Sequence, residues 1–171
     1  MNTRQPEHVL PQTPGQFILF TLLAAASASF AAWGSAALSL EVWVMFAGLI
    51  SWFTRPASWR EGVCAIICLW LGIGLAAVSH RLLSALSPAM DALALPLVVF
   101  LVAVLIVSLR TTRIVDNTLA WFLGMVTFHA AGQEPTPEAF TALFGASAIG
   151  GLAGFACQAL HGHLRIAWFT P

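Results

Sequence analysis

A chain of 171 residues with 59% hydrophobic and only 8% charged residues lies outside the range of soluble domains, in which about a quarter of residues carry charge. Its formal net charge is zero, which removes the electrostatic case for binding nucleic acid. With a mean hydropathy of +0.86, the composition is that of an all-α membrane protein whose first partner is the lipid bilayer.

The elements follow from the apolar runs, in chain order. Residues 1–16 are polar, with Pro6, Pro11 and Pro14, and read as a short disordered cytoplasmic tail without the charged start and cleavage site of a signal peptide. A bilayer-spanning helix needs roughly 17–25 mainly apolar residues. Segments 17–34, 62–83, 92–109 and 139–160 meet that need. Between them lie two shorter segments, 41–54 and 117–131, each aromatic, interrupted by one glycine and followed by proline (Pro56; Pro135 and Pro137). The membrane domain is expected over 17–165, with 166–171 as a C-terminal tail. All three cysteines (Cys64, Cys68 and Cys157) fall in apolar runs and read as buried, unbridged thiols.

The arginines fix the expected topology. Lysine is absent, and if all six segments cross with the N-terminus inside, Arg4, Arg55, Arg60, Arg110, Arg113 and Arg165 are inside and only Arg81 is outside. If the two short segments were re-entrant loops, Arg55, Arg60, Arg110 and Arg113 would move outside, against the positive excess of short cytoplasmic loops. Six crossings with both termini in the cytoplasm are therefore expected.

The two halves share a layout of long, short and long segments. At an offset of 76 positions Phe46 falls on Phe122, Gly48 on Gly124, Trp52 on Phe128 and Gly74 on Gly150. Three crossings per half would insert the second half upside down, giving a 3+3 inverted-topology repeat. In such folds, matched short segments broken by glycine point to a central site. The candidate pore or solute site is accordingly Phe46, Gly48, Trp52, Phe122, Gly124, Phe128 and His129, an apolar constriction that passes small neutral solutes and blocks hydrated ions. Read instead as structure, these aromatics are interfacial anchors, the role assigned to Trp43, Trp59 and Trp168.

Small residues recur every fourth position in the third segment (Cys64, Cys68, Gly72, Ala76, with His80) and in the sixth (Ala142, Ala146, Gly150, Gly154, with Gln158). Positions four apart share a helix face, and small residues let backbones approach where lipid gives no hydrophobic drive. The packing residues are expected to be Gly72, Ala76, Ala146, Gly150 and Gly154, with these two long helices central and close together. The fourth segment should face lipid most.

Groups able to do chemistry are few. No Asp or Glu lies well inside a segment, which argues against a carboxylate-driven antiporter. His80 and His129, with Glu41 and Glu134, could line an outer vestibule. Gln158 reads as a bridge to a neighbouring helix. Cys64 with Cys68, and His161 with His163, lack the further ligands of a closed zinc site, so no metal and no cofactor are expected. No hydrolase elbow, phosphate loop or zinc-protease helix is present, so an enzyme is not expected.

Ala32-Trp33-Gly34, the run through Phe46-Ala47-Gly48 to Trp52-Phe53, and Phe122-Leu123-Gly124 through Ala131-Gly132-Gln133 resemble the YcdZ-like bacterial inner-membrane proteins, a family without assigned function. The likeness covers the chain from about Gly15 and departs at Glu134-Pro135-Thr136-Pro137, where the family tends to have a glycine and an aromatic. It implies a bacterial inner-membrane location and supplies no activity. The reading that results is a six-helix homo-oligomer acting as a channel or facilitator for a small neutral or weakly polar solute of unknown identity. The alternative is a non-transporting membrane interaction or assembly subunit.

Overall fold

The computed structural model describes residues 14–112 and 114–169, with the backbone alone for Gln16 and residues 163–169. Among the described residues six α-helices follow one another: α1 (Pro14–Ala37), α2 (Val42–Trp52), α3 (Trp59–Met90), α4 (Ala94–Ser108), α5 (Thr118–Ala131) and α6 (Pro137–Phe169). A short 3₁₀ turn at Asp91–Leu93 follows α3 directly into α4, and another at Leu109–Thr111 extends α4, so the described residues form five stretches of helix without a gap. Three of these, Phe17–Ala37, Trp59–Thr111 and Pro137–Gly162, are long and apolar enough to cross a bilayer. At 1.5 Å per residue, the 11-residue α2 and 14-residue α5 reach only about 16 and 21 Å, short of the ~30 Å hydrocarbon layer. Long apolar helices with broad apolar outer faces make this a multi-pass membrane protein in contact with lipid.

Helix α1 opens at Pro14, inside the stretch expected as a tail; the rest of that tail, with Arg4, and Arg113 lie outside the described residues, as do the side chains of Arg165 and Trp168. Helix α3 runs past Leu83 to Met90, because Leu82, Leu83, Ala85 and Leu86 keep favouring helix after Arg81 has ended the apolar run. Local chemistry sets other boundaries. The Asn117 side chain accepts the Ala120 amide at 3.2 Å to start α5, and Thr136 Oγ1 accepts the Ala139 amide at 3.2 Å ahead of Pro137 at the head of α6. Gly132, at φ 60°, ends α5 in the left-handed conformation that glycine adopts without cost.

Between α3 and α4 the chain reverses, and Val98, Val102 and Ile106 pack back beside Cys68. The reversal turns on Asp91, whose φ of 44° and ψ of −118° suit glycine far better than an L side chain. Asp91 is exposed, so Asp91→Gly is expected to stabilise the fold by about 1 kcal/mol, read as a higher midpoint in detergent thermal denaturation. A drop in midpoint would refute that account of the turn.

The packing differs from expectation in two ways. Helices α3 and α6 do not make their main contact with each other: α3 packs most closely on α5, and α6 on α2. The molecule is thus built from two helix pairs, α2–α6 and α3–α5, each joining a short helix from one half to a long helix from the other. The second difference concerns lipid exposure. Among the described side chains of α1 only Ala31 and Ser35 are buried, whereas α4 buries a stripe of Ala94, Val98, Val102 and Ile106, so α1 is the more peripheral helix. The apolar composition of α4 hid this, since a helix with apolar residues all round shows no contrast between its inner and outer faces.

Candidate functional site

Each helix pair is closed by backbone contact. A Cβ placed on Gly48 of α2 would strike the Ser147 backbone of α6, and one on Gly150 of α6 would strike the Met45 carbonyl of α2. In the second pair, a Cβ on Gly124 of α5 would strike the Leu69 carbonyl of α3, and one on Gly72 of α3 the Trp121 carbonyl of α5. Four of the expected site and packing glycines are therefore mutual clamps. Glycine is required at these positions because only there does no side chain hold the two backbones apart.

The two pairs correspond contact by contact. Short-helix residues match at 76 positions (Met45 with Trp121, Gly48 with Gly124, Trp52 with Phe128), and long-helix residues at 78 (Leu69 with Ser147, Gly72 with Gly150, His80 with Gln158). The match extends beyond glycine. Trp52 sits against Gly62 and donates its indole N–H to Gln158 Oε1 at 2.7 Å, and its counterpart Phe128 lies against Phe140 and His80, the counterparts of Gly62 and Gln158. An offset of 76 throughout, which sets Gly74 on Gly150, misregisters the long helices by two residues. Gly74 has open space beside it and takes no part in a clamp.

A family model described as a protein of unknown function (DUF1097) matches residues 21–162. The chain belongs to this family. Neither a search of the curated proteins nor one of the solved structures gave a match. The match takes in both DUF1097 helix pairs, all four clamping glycines and both aromatic sockets.

The seven expected site residues of this DUF1097 chain do not ring one constriction. Phe46 and Phe122 are each 40% exposed, on the outer faces of α2 and α5. The reason is geometric: residues two apart on a helix point about 200° away from each other, so Phe46 cannot share the face of Gly48, nor Phe122 that of Gly124. Trp52 and Phe128, four residues beyond the glycines, do share the inward face and are buried at opposite ends of the bundle. His129 is exposed, and its Nδ1 lies 2.9 Å from the Met125 carbonyl of its own helix. His80 and Glu134 do meet, in a recess of about 600 Å³ that Arg81 and Thr136 also line; neither His129 nor Glu41 lines it.

Of the packing residues, Ala76 and Ala146 are fully buried in the main core with Val44, Leu69, Ile73 and Leu143, and Gly154 faces Trp52. The two pairs meet across this core through side chains. Between the α3–α5 pair and α6 runs a row of rings, from Phe128 of α5 to Phe140 at 6.2 Å, Phe140 to Phe144 at 5.8 Å, and Phe144 to Trp70 of α3 at 5.4 Å between centroids. The row ends at a polar contact, Trp70 Nε1 donating to Ser147 Oγ at 2.9 Å. Such bonds inside a membrane are worth about 0.6 kcal/mol on average, so Ser147→Ala should cost under about 1 kcal/mol in unfolding measurements. A loss of several kcal/mol would show that Ser147 does more.

Polar groups that sequence reasoning did not assign gather at the other end. Arg55, in the α2–α3 connection, pairs with both Glu61 and Asp116, and its side chain is only 11% exposed. Asn117 Nδ2 donates to Thr54 Oγ1 at 2.6 Å. A recess of about 830 Å³ lies here, lined by Thr54, Arg55, Glu61, Arg110, Asp116 and Asn117 among others. Arginine count alone placed Arg55 near a membrane face; its carboxylate partners lie too far apart in sequence to be inferred from spacing. Among the described residues no group of His, Cys, Asp and Glu is arranged to hold a metal ion.

Proposed function

We propose that this protein is a facilitator of the bacterial inner membrane for a small neutral or weakly polar solute, built as a 3+3 inverted repeat with six crossings and both termini in the cytoplasm. The observation that carries this reading is the contact-by-contact correspondence of the two helix pairs. A pair of related units of opposite direction, meeting near the middle of the bilayer, is the architecture in which solute sites form at the repeat interface. The clustering of chain segments supports six crossings. Phe20 of α1 stacks on His161 of α6 at 3.8 Å, while Trp52, Arg55 and Asp116 gather at the C-terminal end of α2 and the N-terminal end of α5, as antiparallel crossings require. The likeness to the YcdZ-like proteins supports the bacterial inner membrane.

Glycine clamping brings backbone against backbone within each pair, whereas the pairs meet chiefly through side chains, with Ser51 Oγ of α2 donating to the Ala65 carbonyl of α3 at 3.0 Å. The facilitator reading therefore takes the solute along the ring-lined seam between pairs, opened by small relative movements, rather than through a fixed pore. The solute is uncharged because Glu41, Glu61, Asp91, Asp116, Glu134 and Glu138 all sit at helix ends or connections, which leaves the described interior without a carboxylate. The exposed face of α1, with Phe17, Leu22, Phe30 and Trp33, suits lipid and a second copy in a homo-oligomer.

Flux of urea, glycerol and short alcohols into proteoliposomes is the direct test. Faster entry of at least one solute than in protein-free vesicles is expected. If none passes while the protein remains folded, the transport reading fails and the alternative, a membrane assembly subunit, takes its place.

A further inference from the structure

We propose that Arg55 is a latch that holds the proposed cytoplasmic end of the seam shut. The inference rests on the facilitator reading and adds a control point to it. The segment 114–117, between α4 and α5, lies over that end as a strap tied down by successive residues. Cys68 Sγ lies 3.8 Å from the Ile114 carbonyl, Trp121 Nε1 donates to the Val115 carbonyl at 3.0 Å, Asp116 pairs with Arg55, and Asn117 bonds Thr54. The last two ties cross between the helix pairs, since Thr54 and Arg55 follow α2 of one pair and Asp116 and Asn117 precede α5 of the other. Glu61, in the first turn of α3, takes the remaining side of the guanidinium. Arg55 thus links the end of α2 to both helices of the α3–α5 pair.

The correspondence between the pairs makes this tie conspicuous, because it has no counterpart. The α5–α6 connection is the equivalent of the α2–α3 connection, yet among the described residues it makes no ion pair with the α1–α2 connection. Both ends carry a recess, but the charge-locked strap lies on the Arg55 side; among the described residues His80, Arg81 and Glu134, which line the opposite recess, make no ion pair. Two related ends closed by different means will not open equally often. The aromatic end yields by ring rotation, whereas the Arg55 end opens only when two partly buried ion pairs separate. Separating such pairs leaves a charge without its partner, and that cost biases the resting protein toward the closed cytoplasmic end.

Cys68 reports the strap directly, since it is fully buried beneath Ile114. With Cys64→Ser and Cys157→Ser it becomes the only thiol in the full chain, and its rate of reaction with N-ethylmaleimide in proteoliposomes measures strap opening. The double variant Glu61→Gln/Asp116→Asn is expected to raise that rate on the order of tenfold or more. Glu134→Gln, at the opposite end, should leave it unchanged. Should the neutral variant fold poorly, the exchange Arg55→Asp/Asp116→Arg made together with Glu61→Gln, which removes the carboxylate that would face the new aspartate, is the second arm, expected to restore folded yield and the slow rate together. An unchanged rate in the neutral variant overturns the latch, as does a fast rate that the exchange does not slow. The labelling needs no solute, so faster labelling without flux for any solute upholds the latch while the facilitator reading falls.

Discussion

Gly150→Ala is expected to lower stability by about 3 kcal/mol or more, whereas Gly74→Ala, two residues along α3 from Gly72, the counterpart of Gly150, should change it by less than about 1 kcal/mol. The added methyl is the same in both cases. At Gly150 it meets the Met45 carbonyl and the Leu49 amide, which are backbone atoms that no rotamer change can move aside. Helices α2 and α6 must separate, and the neighbouring clamp at Gly48 opens with them. At Gly74 nothing lies within 4 Å, and alanine's better helix propensity offsets what little is lost. Gly72→Ala should behave like Gly150→Ala, since it performs the same service for α3 and α5. Reversible unfolding in mixed micelles is the measurement; equal effects at Gly74 and Gly150 would sink the clamp account. It follows that Gly124→Leu cannot serve as a flux-selective variant: its side chain would meet the Leu69 carbonyl and break the fold first.

Trp52→Ala carries the second large effect, about 3–5 kcal/mol. The indole fills a socket made by Gly62 and Gly154, with Gly151 close by and Phe155 edge-on at 5.8 Å. Its removal leaves a void that backbone on both sides prevents from collapsing. It also strands the Gln158 carbonyl oxygen that the indole N–H satisfied. Trp52→Phe keeps most of the volume and should cost about 1–2 kcal/mol, chiefly the lost hydrogen bond and incomplete filling. If Trp52→Ala proved as mild as Trp52→Phe, the socket would not be the packing centre that its geometry implies.

Much of this was legible in the residues themselves, and the rest fails for stated physical reasons. Gly48, Gly124, Gly72 and Gly150 stand out because glycine at helical spacing in an apolar run has a packing use, and all four are clamps. The stripes on α3 and α6 say that some backbone comes close; they do not say which one. Every small-residue face is a candidate for every other, and only three-dimensional pairing assigns Gly150 to Met45. The inclusion of Phe46 and Phe122 in one ring with the glycines was avoidable, since their two-residue spacing already turns them away. Gln158 as an interhelical bridge follows from the rarity of amides in lipid, and its partner is Trp52. The Arg55 cluster was out of reach, because ion pairs between connections depend on how helix ends are brought together and leave no periodic trace.

The interleaved pairing has a consequence for biogenesis. Helix α2 is synthesised well before its partner α6, with α3, α4 and α5 made between them. Until α6 is inserted, the glycine face of α2 has only lipid against it, and an 11-residue helix is too short to hold its place by length alone. Helix α5, by contrast, finds α3 already in the membrane. The α3–α5 pair can therefore begin to pack as soon as α5 is inserted, whereas the α2–α6 pair must wait for α6.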